Sequence, residues 1–463
     1  MAGATSSRAA TPGGDTRHGS HGVIFPNRPE KAALSKPWQP SRLTSPTRHH
    51  PGGNSPDHRK IEVSLDTMPR MLAILLFTGL SFAYVSETPG TDSESSEYRY
   101  AAPEQADDGW ETRDLRNTGM RVEPPEDAIG RIQSGVIPNI QSLLIAKDGR
   151  LVVEEYFGPN RDNLQRVYSV TKSVTSMLVG IAIDNGLIES VDEPVYTFFP
   201  EYEELEDSSQ GRIALKHLLT MSAGLKWNEP WWSSGDRKSD LRRFYSARDP
   251  IRFVLKRPVV NRPGSNFNYN TALTDVLGVI LRKATGTRVE DFSDRYLFSK
   301  LGIDRTRWEQ LGFEETNTGG GLWLRSRDMA KLGQLMLNEG VWNEERVVSK
   351  EWIDESTQTY FSGAPWMEGY GYLWWVNGYP VGQRSFHAYF AWGWGGQHIF
   401  VIPSIQLVVV ITGKNFEGTD PAEDLLLDSI LPAALGLRDR GAAETLRKFS
   451  HRVTHRSNGS PGC

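Results

Sequence analysis

Ser142-Leu-Leu-Ile-Ala-Lys-Asp148-Gly149-Arg-Leu-Val-Val-Glu-Glu-Tyr156 holds two β-rich runs joined by Asp-Gly. That dipeptide is the strongest short hairpin signal, because the tight two-residue turn needs positive φ at both central positions. A second hairpin pattern follows far downstream, in His398-Ile-Phe-Val-Ile-Pro403-Ser404-Ile-Gln-Leu-Val-Val-Val-Ile-Thr412. Between the two, the pattern is mostly helical. Residues 171–185 are stopped by Gly186, 215–221 near Gly224, 270–284 by Gly286 and 326–337 by Gly340; glycine just past the last periodic residue is a helix stop. Residues 421–435 read as a final helix. Strands at both ends with helices between predict an α+β fold, one antiparallel sheet built from both ends with a helical insertion. No internal repeat stands out.

Outward from this region the chain changes character. Residues 1–67 are rich in Gly, Pro, Ser, Arg and His, and too poor in apolar side chains to offset their ordering entropy. They read as disordered, or as a mis-assigned upstream extension. Met68-Pro-Arg-Met-Leu-Ala-Ile-Leu-Leu-Phe-Thr-Gly-Leu-Ser-Phe-Ala83 has an early arginine, a short apolar run and a small-x-small end. That is the layout of a secretory signal peptide, too short for a comfortable membrane span. The expectation is a start at Met68 and a signal peptide over 68–83. A polar linker over 84–105, a folded domain over 106–437 and a polar tail over 438–463 follow. The mature protein is expected to be exported, periplasmic or secreted, without a stable membrane span.

Composition narrows the chemistry. Across 463 residues the net charge is −5 with Lys and Arg dispersed, which argues against nucleic acid as a partner. Cys463 is the only cysteine, so an internal disulfide, a cysteine metal site and a thiol nucleophile are all poor readings. The ten histidines show no HExxH-like spacing, so no metal site is implied.

Three segments carry chemistry. In Tyr168-Ser169-Val-Thr-Lys172-Ser-Val-Thr-Ser-Met-Leu-Val-Gly-Ile-Ala-Ile-Asp184, apolar residues recur at helical spacing from Val174. A helix would set the Lys172 amine beside the Ser169 hydroxyl. Serine needs an adjacent base to act as a nucleophile, and lysine serves where burial favours its neutral form. The helix N-terminus adds positive potential where an oxyanion develops. Roughly one or two Ser-x-x-Lys matches arise by chance in a chain this long, and the bland reading is an N-cap serine and a solvated lysine. What gives this match weight is a following helix that is apolar nearly all round. The second segment, Arg262-Pro263-Gly264-Ser-Asn-Phe-Asn-Tyr269-Asn270-Thr271-Ala-Leu-Thr274-Asp275, runs from a turn into a helix. Tyr269 is either a proton shuttle aimed into a cleft or a core tyrosine with a satisfied hydroxyl. The third is Ala391-Trp392-Gly393-Trp394-Gly395-Gly396-Gln397-His398. Its glycines suggest close backbone approach to an acyl group, or else a bulge or tight corner. His398 is read as a substrate contact or a solvent-facing strand residue. The loop Trp227-Asn-Glu-Pro-Trp231-Trp232 covers the site or forms an aromatic satellite core.

In this order, with a hairpin at each end, these segments resemble the serine β-lactamase and penicillin-binding-protein superfamily, whose nucleophile lies in Ser-x-x-Lys. Within it the chain looks like the class C-type branch that includes esterases and 6-aminohexanoate-dimer hydrolase. The resemblance covers about residues 108–437. It includes His217-Leu-Leu-Thr-Met-Ser-Ala-Gly224, Gly319-Gly-Gly-Leu-Trp323 and Gly369-Tyr-Gly-Tyr-Leu-Trp374. It implies an about five-stranded antiparallel sheet flanked by helices, a mostly helical lobe, and a site between them. Carried over, Ser169 is the acylated nucleophile, Lys172 the base and Tyr269 the family's tyrosine. Thr271 stands where Tyr-x-Asn usually ends, so the amide is missing or comes from Asn270. Backbone N–H groups of Ser169 and Gln397 would form the oxyanion hole, and Trp394, Gly395, Gly396, Asn270 and Trp232 would meet substrate. Trp394-Gly395-Gly396 replaces the Lys-Thr-Gly of β-lactamases. Losing that cation forfeits a charge-assisted bond of about 1.5–3 kcal/mol, so β-lactam and peptidoglycan turnover should be poor. The reading is a serine hydrolase of small ester or amide substrates, with no metal or organic cofactor implied. The alternatives are a D,D-peptidase or β-lactamase-type enzyme and a non-catalytic scaffold of the same fold.

Overall fold

A computed structural model describes residues 98–230, 239–312, 315–361 and 367–437. The expectations for 1–67, 68–83, 438–463, most of the 84–105 linker and Trp232 lie outside these residues. No helix among them is long and apolar enough to cross a membrane.

Strands β1 (Ile140–Lys147) and β2 (Arg150–Tyr156) form the expected hairpin. Asp148 and Gly149 take φ of 50° and 80°, the signs this turn demands. A Cβ on Gly149 would meet nothing within 4 Å. Gly149→Ala therefore isolates the backbone cost of a left-handed residue, and thermal denaturation should show a loss of about 1 kcal/mol. A loss several times larger would mean that the turn has contacts of its own.

The remaining strands of the sheet are β3 (Gly369–Tyr370), β4 (Trp375–Val381), β5 (Arg384–Gly393), β6 (Gln397–Ile402) and β7 (Leu407–Gly413). Their order is β2-β1-β7-β6-β5-β4-β3, antiparallel throughout. The two ends of the domain meet where β1 pairs with β7, Ile145 opposite Val409. All of β7 is buried, which suits a near-continuous Val/Ile/Leu run in a central strand. The sheet has seven strands, not about five. Strand β4 reads poorly because Gly378 and Pro380 interrupt it; Pro380 is tolerated because β3 pairs only Trp375 and Val376, leaving its missing donor at an edge.

Helix α1 (Glu123–Gln133) precedes β1, and α2 (Val170–Asp184) is buried along residues 170–182. Helix α3 (Thr271–Thr285) ends at Gly286, whose φ of 69° and N–H bond to the Arg282 carbonyl stop it. Helix α4 (Ser326–Leu337) lies on the sheet. A Cβ on Gly333 would sit 2.6 Å from Val408 Cγ1 and 2.7 Å from Ile399 Cγ2, so that glycine lets α4 approach β6 and β7. The expected last helix is present over residues 422–434 with a wider turn at Leu426–Ile430. Helices α2 and α3 pack together, and α2 also meets β5 and β6. That places the start of α2 between the sheet and the helical part.

Candidate active site

Tyr168 has φ of 47°, uncommon for a residue other than glycine. It makes a sharp turn into α2, closed by the Thr171 N–H to Tyr168 carbonyl bond of 2.9 Å. Ser169 occupies the N-cap position, yet its side chain makes no capping bond. Its Oγ lies 3.1 Å from Lys172 Nζ. Lys172 is 2 % exposed, so it is not a solvated lysine. Its Nζ also donates to the Gly319 carbonyl at 2.5 Å and sits 5.1 Å from the centre of the Tyr269 ring.

Tyr269 immediately precedes the N-cap of α3 and stacks on Trp375, with ring centres 6.2 Å apart. Ser169, Lys172 and Tyr269 thus converge from two packed helices. Asn270 is buried, and its Oδ1 has no hydrogen-bond partner among the described residues. Thr271 is engaged by Glu229. Its N–H donates to Glu229 Oε2 at 2.8 Å and its hydroxyl to Glu229 Oε1. Trp227 Nε1 donates to the same carboxylate at 2.9 Å. The loop from Trp227 is therefore pinned to the first turn of α3, where the helix dipole favours an anion. Trp227 belongs to the core.

Trp394, Gly395 and Gly396 form the turn between β5 and β6, with φ of 82° and 88° at the two glycines. The tight-corner reading describes their backbone. A Cβ on Gly395 would lie 2.4 Å from Phe416 Cε1, and one on Gly393 2.3 Å from the Val167 carbonyl oxygen. The end of β5 is thus pressed against the segment that leads into Ser169. Trp394 is 47 % exposed and meets Tyr168 and Phe416 edge to face, with ring centres 5.5 and 5.0 Å apart. Gln397 opens β6, and its Nε2 donates to the Gly413 carbonyl at 2.7 Å. His398 corrects one expectation. It is buried rather than solvent-facing, because β6 is an inner strand covered on both sides. Its Nε2 lies 2.7 Å from Asp420 Oδ2, and its ring stacks on Trp392 and Phe400.

Two neighbours of the site went unread in the sequence. One is Glu229. The other is Asp275, wholly buried on α3, whose Oδ1 accepts the Gly319 N–H at 2.9 Å. Burial pushes its carboxyl up to about 7, against the opposing pull of the Gly319 N–H and the Lys172 charge. A lone acid among Ala272, Leu273, Val276 and Leu277 on an apolar helix was the available signal. Among the described residues no group of acidic, histidine and cysteine side chains is arranged to hold a metal.

Residues 131–430 match the family described as Beta-lactamase. The 6-aminohexanoate-dimer hydrolase of Paenarthrobacter ureafaciens is 29 % identical over 292 residues, covering 58 % of this chain and 71 % of its own length. Esterase EstB of Burkholderia gladioli is 32 % identical over 153 residues, 31 % of this chain and 38 % of that protein. The solved structure of a family VIII carboxylesterase superposes with a TM-score of 0.54 at 16 % identity, covering 70 % of this chain and 96 % of that one. That last likeness shows a shared fold.

Proposed function

This chain belongs to the β-lactamase family, and from that premise we propose that it hydrolyses small ester or amide substrates through an acyl-Ser169 intermediate. The observation that carries the reading is the buried Lys172 amine 3.1 Å from the Ser169 hydroxyl. Ser169 Oγ attacks the substrate carbonyl while Lys172 takes its proton. The oxyanion that forms is received by the backbone N–H groups of Ser169 and Gln397. Tyr269, beside Lys172, returns a proton to the leaving group, and water then releases the acyl group with the same two residues as base and acid. Trp394, Gly395, Gly396 and Asn270 border the substrate. Esters are favoured over amides, because an amine leaving group demands fuller protonation. The hydrolase and esterase names of the relatives support this bond class. With Trp394 where a cation would recognise a carboxylate, β-lactams are poor substrates. The 68–83 segment supports export.

Intact-mass and peptide analysis after exposure to a fluorophosphonate tests the proposal, together with p-nitrophenyl acetate and butyrate hydrolysis. A single adduct on the Ser169 peptide and hydrolysis above the blank are expected. No adduct with background rates would overturn the reading and leave a non-catalytic scaffold.

A further inference from the structure

We propose that Asp275 is a positioning residue for the Lys172 base, acting through the segment Asn317–Thr318–Gly319–Gly320–Gly321. The inference rests on the reading of Lys172 as base. Lys172 Nζ is aimed by two oxygens, Ser169 Oγ and the Gly319 carbonyl. The second is useful only if the Gly319 carbonyl cannot turn away, and the segment that bears it has no regular secondary structure. Side chains fix it instead. Asp275 Oδ1 takes the Gly319 N–H at 2.9 Å, and Asn317 Oδ1 takes the Gly320 N–H at 2.8 Å. The peptide planes on both sides of Gly319 are thereby held. Thr318 ties the segment to both helices: its hydroxyl donates to the Thr274 carbonyl at 2.8 Å, and its carbonyl accepts the Thr175 hydroxyl at 3.0 Å. A Cβ at position 319 would lie 2.6 Å from Thr271 Cγ2 and 3.2 Å from Asp275 Oδ1, so the backbone is packed directly on α3.

Asp275 does this as a carboxylic acid where an amide would accept the same N–H. Its carboxyl is wholly buried, beside Lys172, Glu229 and Tyr245. The charged and titratable groups that face it are Lys172 on α2, Glu229 from the loop at Trp227 and Tyr245 from the helix Asp240–Ser246. Lys172 is the cation among them. Asp275 therefore sets where the amine points, through the Gly319 peptide. It lies six residues after Tyr269, so one helix places the tyrosine and anchors the lysine.

The test compares Asp275→Ala, which removes the acceptor, with Asp275→Asn, which keeps it. For p-nitrophenyl butyrate, Asp275→Ala should lower kcat about 10- to 100-fold with KM within about twofold, the scale of a misplaced catalytic group. Fluorophosphonate labelling should slow in parallel. Asp275→Asn should recover most of kcat, because the amide oxygen accepts the same Gly319 N–H. Wild-type kcat in Asp275→Ala, or a loss confined to KM, would overturn the proposal. If Asp275→Ala fails to fold, Asp275→Ser, too short to reach the Gly319 N–H, takes its place, and wild-type kcat there would overturn the proposal. Lys172→Met separates the two readings. If that variant keeps full turnover, the base assignment fails. If it is inactive while the Asp275 variants behave as wild type, only the positioning role fails.

Discussion

Lys172→Met should slow acylation of Ser169 by about three orders of magnitude and leave the fold in place. Methionine matches the length and volume of the buried stem, so the apolar packing of α2 survives. What disappears is the amine that bonds Ser169 Oγ at 3.1 Å and the Gly319 carbonyl at 2.5 Å. A positioned base contributes about 10²–10⁴ in rate. The Gly319 oxygen loses a donor, which costs about 1–3 kcal/mol of stability, small enough for a folded variant. Fluorophosphonate labelling kinetics and p-nitrophenyl ester hydrolysis measure the first effect, and thermal denaturation the second. Residues that act as a unit are not additive, so the Ser169→Ala/Lys172→Met double variant should be no slower than Ser169→Ala alone. Wild-type labelling in Lys172→Met would transfer the base role to Tyr269.

The second large effect is on stability. Burial raises the Asp275 carboxyl from its ordinary 3.8 to about 7. For an acid raised in this way, the folded state holds its proton over a range in which the unfolded chain has released it. Folding is therefore favoured less and less as pH rises from about 4 to about 7, by up to about 4 kcal/mol at the top of that window. Asp275→Asn cannot ionise and escapes the loss. Urea denaturation at pH 4.5 and pH 8 should show the variant close to wild type at the lower pH and several kcal/mol more stable at the higher. His217 slopes the other way. Burial, followed by the charge of Lys216, pushes it down to about 4, and its Nδ1 accepts the Ala214 N–H at 3.0 Å, which only the neutral ring can do. Its contribution is present above about 6.5 and fades as pH falls through about 4. Both proteins share it, so the difference between them reports Asp275 alone. An equal difference at the two pH values would contradict the assignment of the buried proton.

The parts of this molecule that sequence reveals are those set by short range. Asp148-Gly149 dictates its own turn, the glycines after α2 and α3 stop those helices, and the three-residue spacing of Ser169 and Lys172 follows from helical geometry. The long apolar strands at each end announce one sheet. The hairpin of β4 and β5 was harder, because Gly378 and Pro380 contradict a strand unless an edge position is known. The partners of Asp275 and Glu229 were illegible for another reason: they are Gly319 and Thr271, more than forty residues away. Of the two readings of His398 the solvent-facing one fails, because period-two patterning gives one face of a strand to water whereas every residue of β6 is buried.

Because β1 and β7 are hydrogen-bonded neighbours, the ribosome delivers the middle of the sheet last. The β1–β2 hairpin emerges early with one edge open, and the strand that closes that edge follows more than half the chain later. A nascent chain that stops before Leu407 has both hairpin and helices but no continuous sheet to pack them on. Pairing across such a sequence distance is slow, so consolidation waits until synthesis is complete. If the chain is exported, as proposed, that delay would keep the polypeptide threadable until its last strand has crossed.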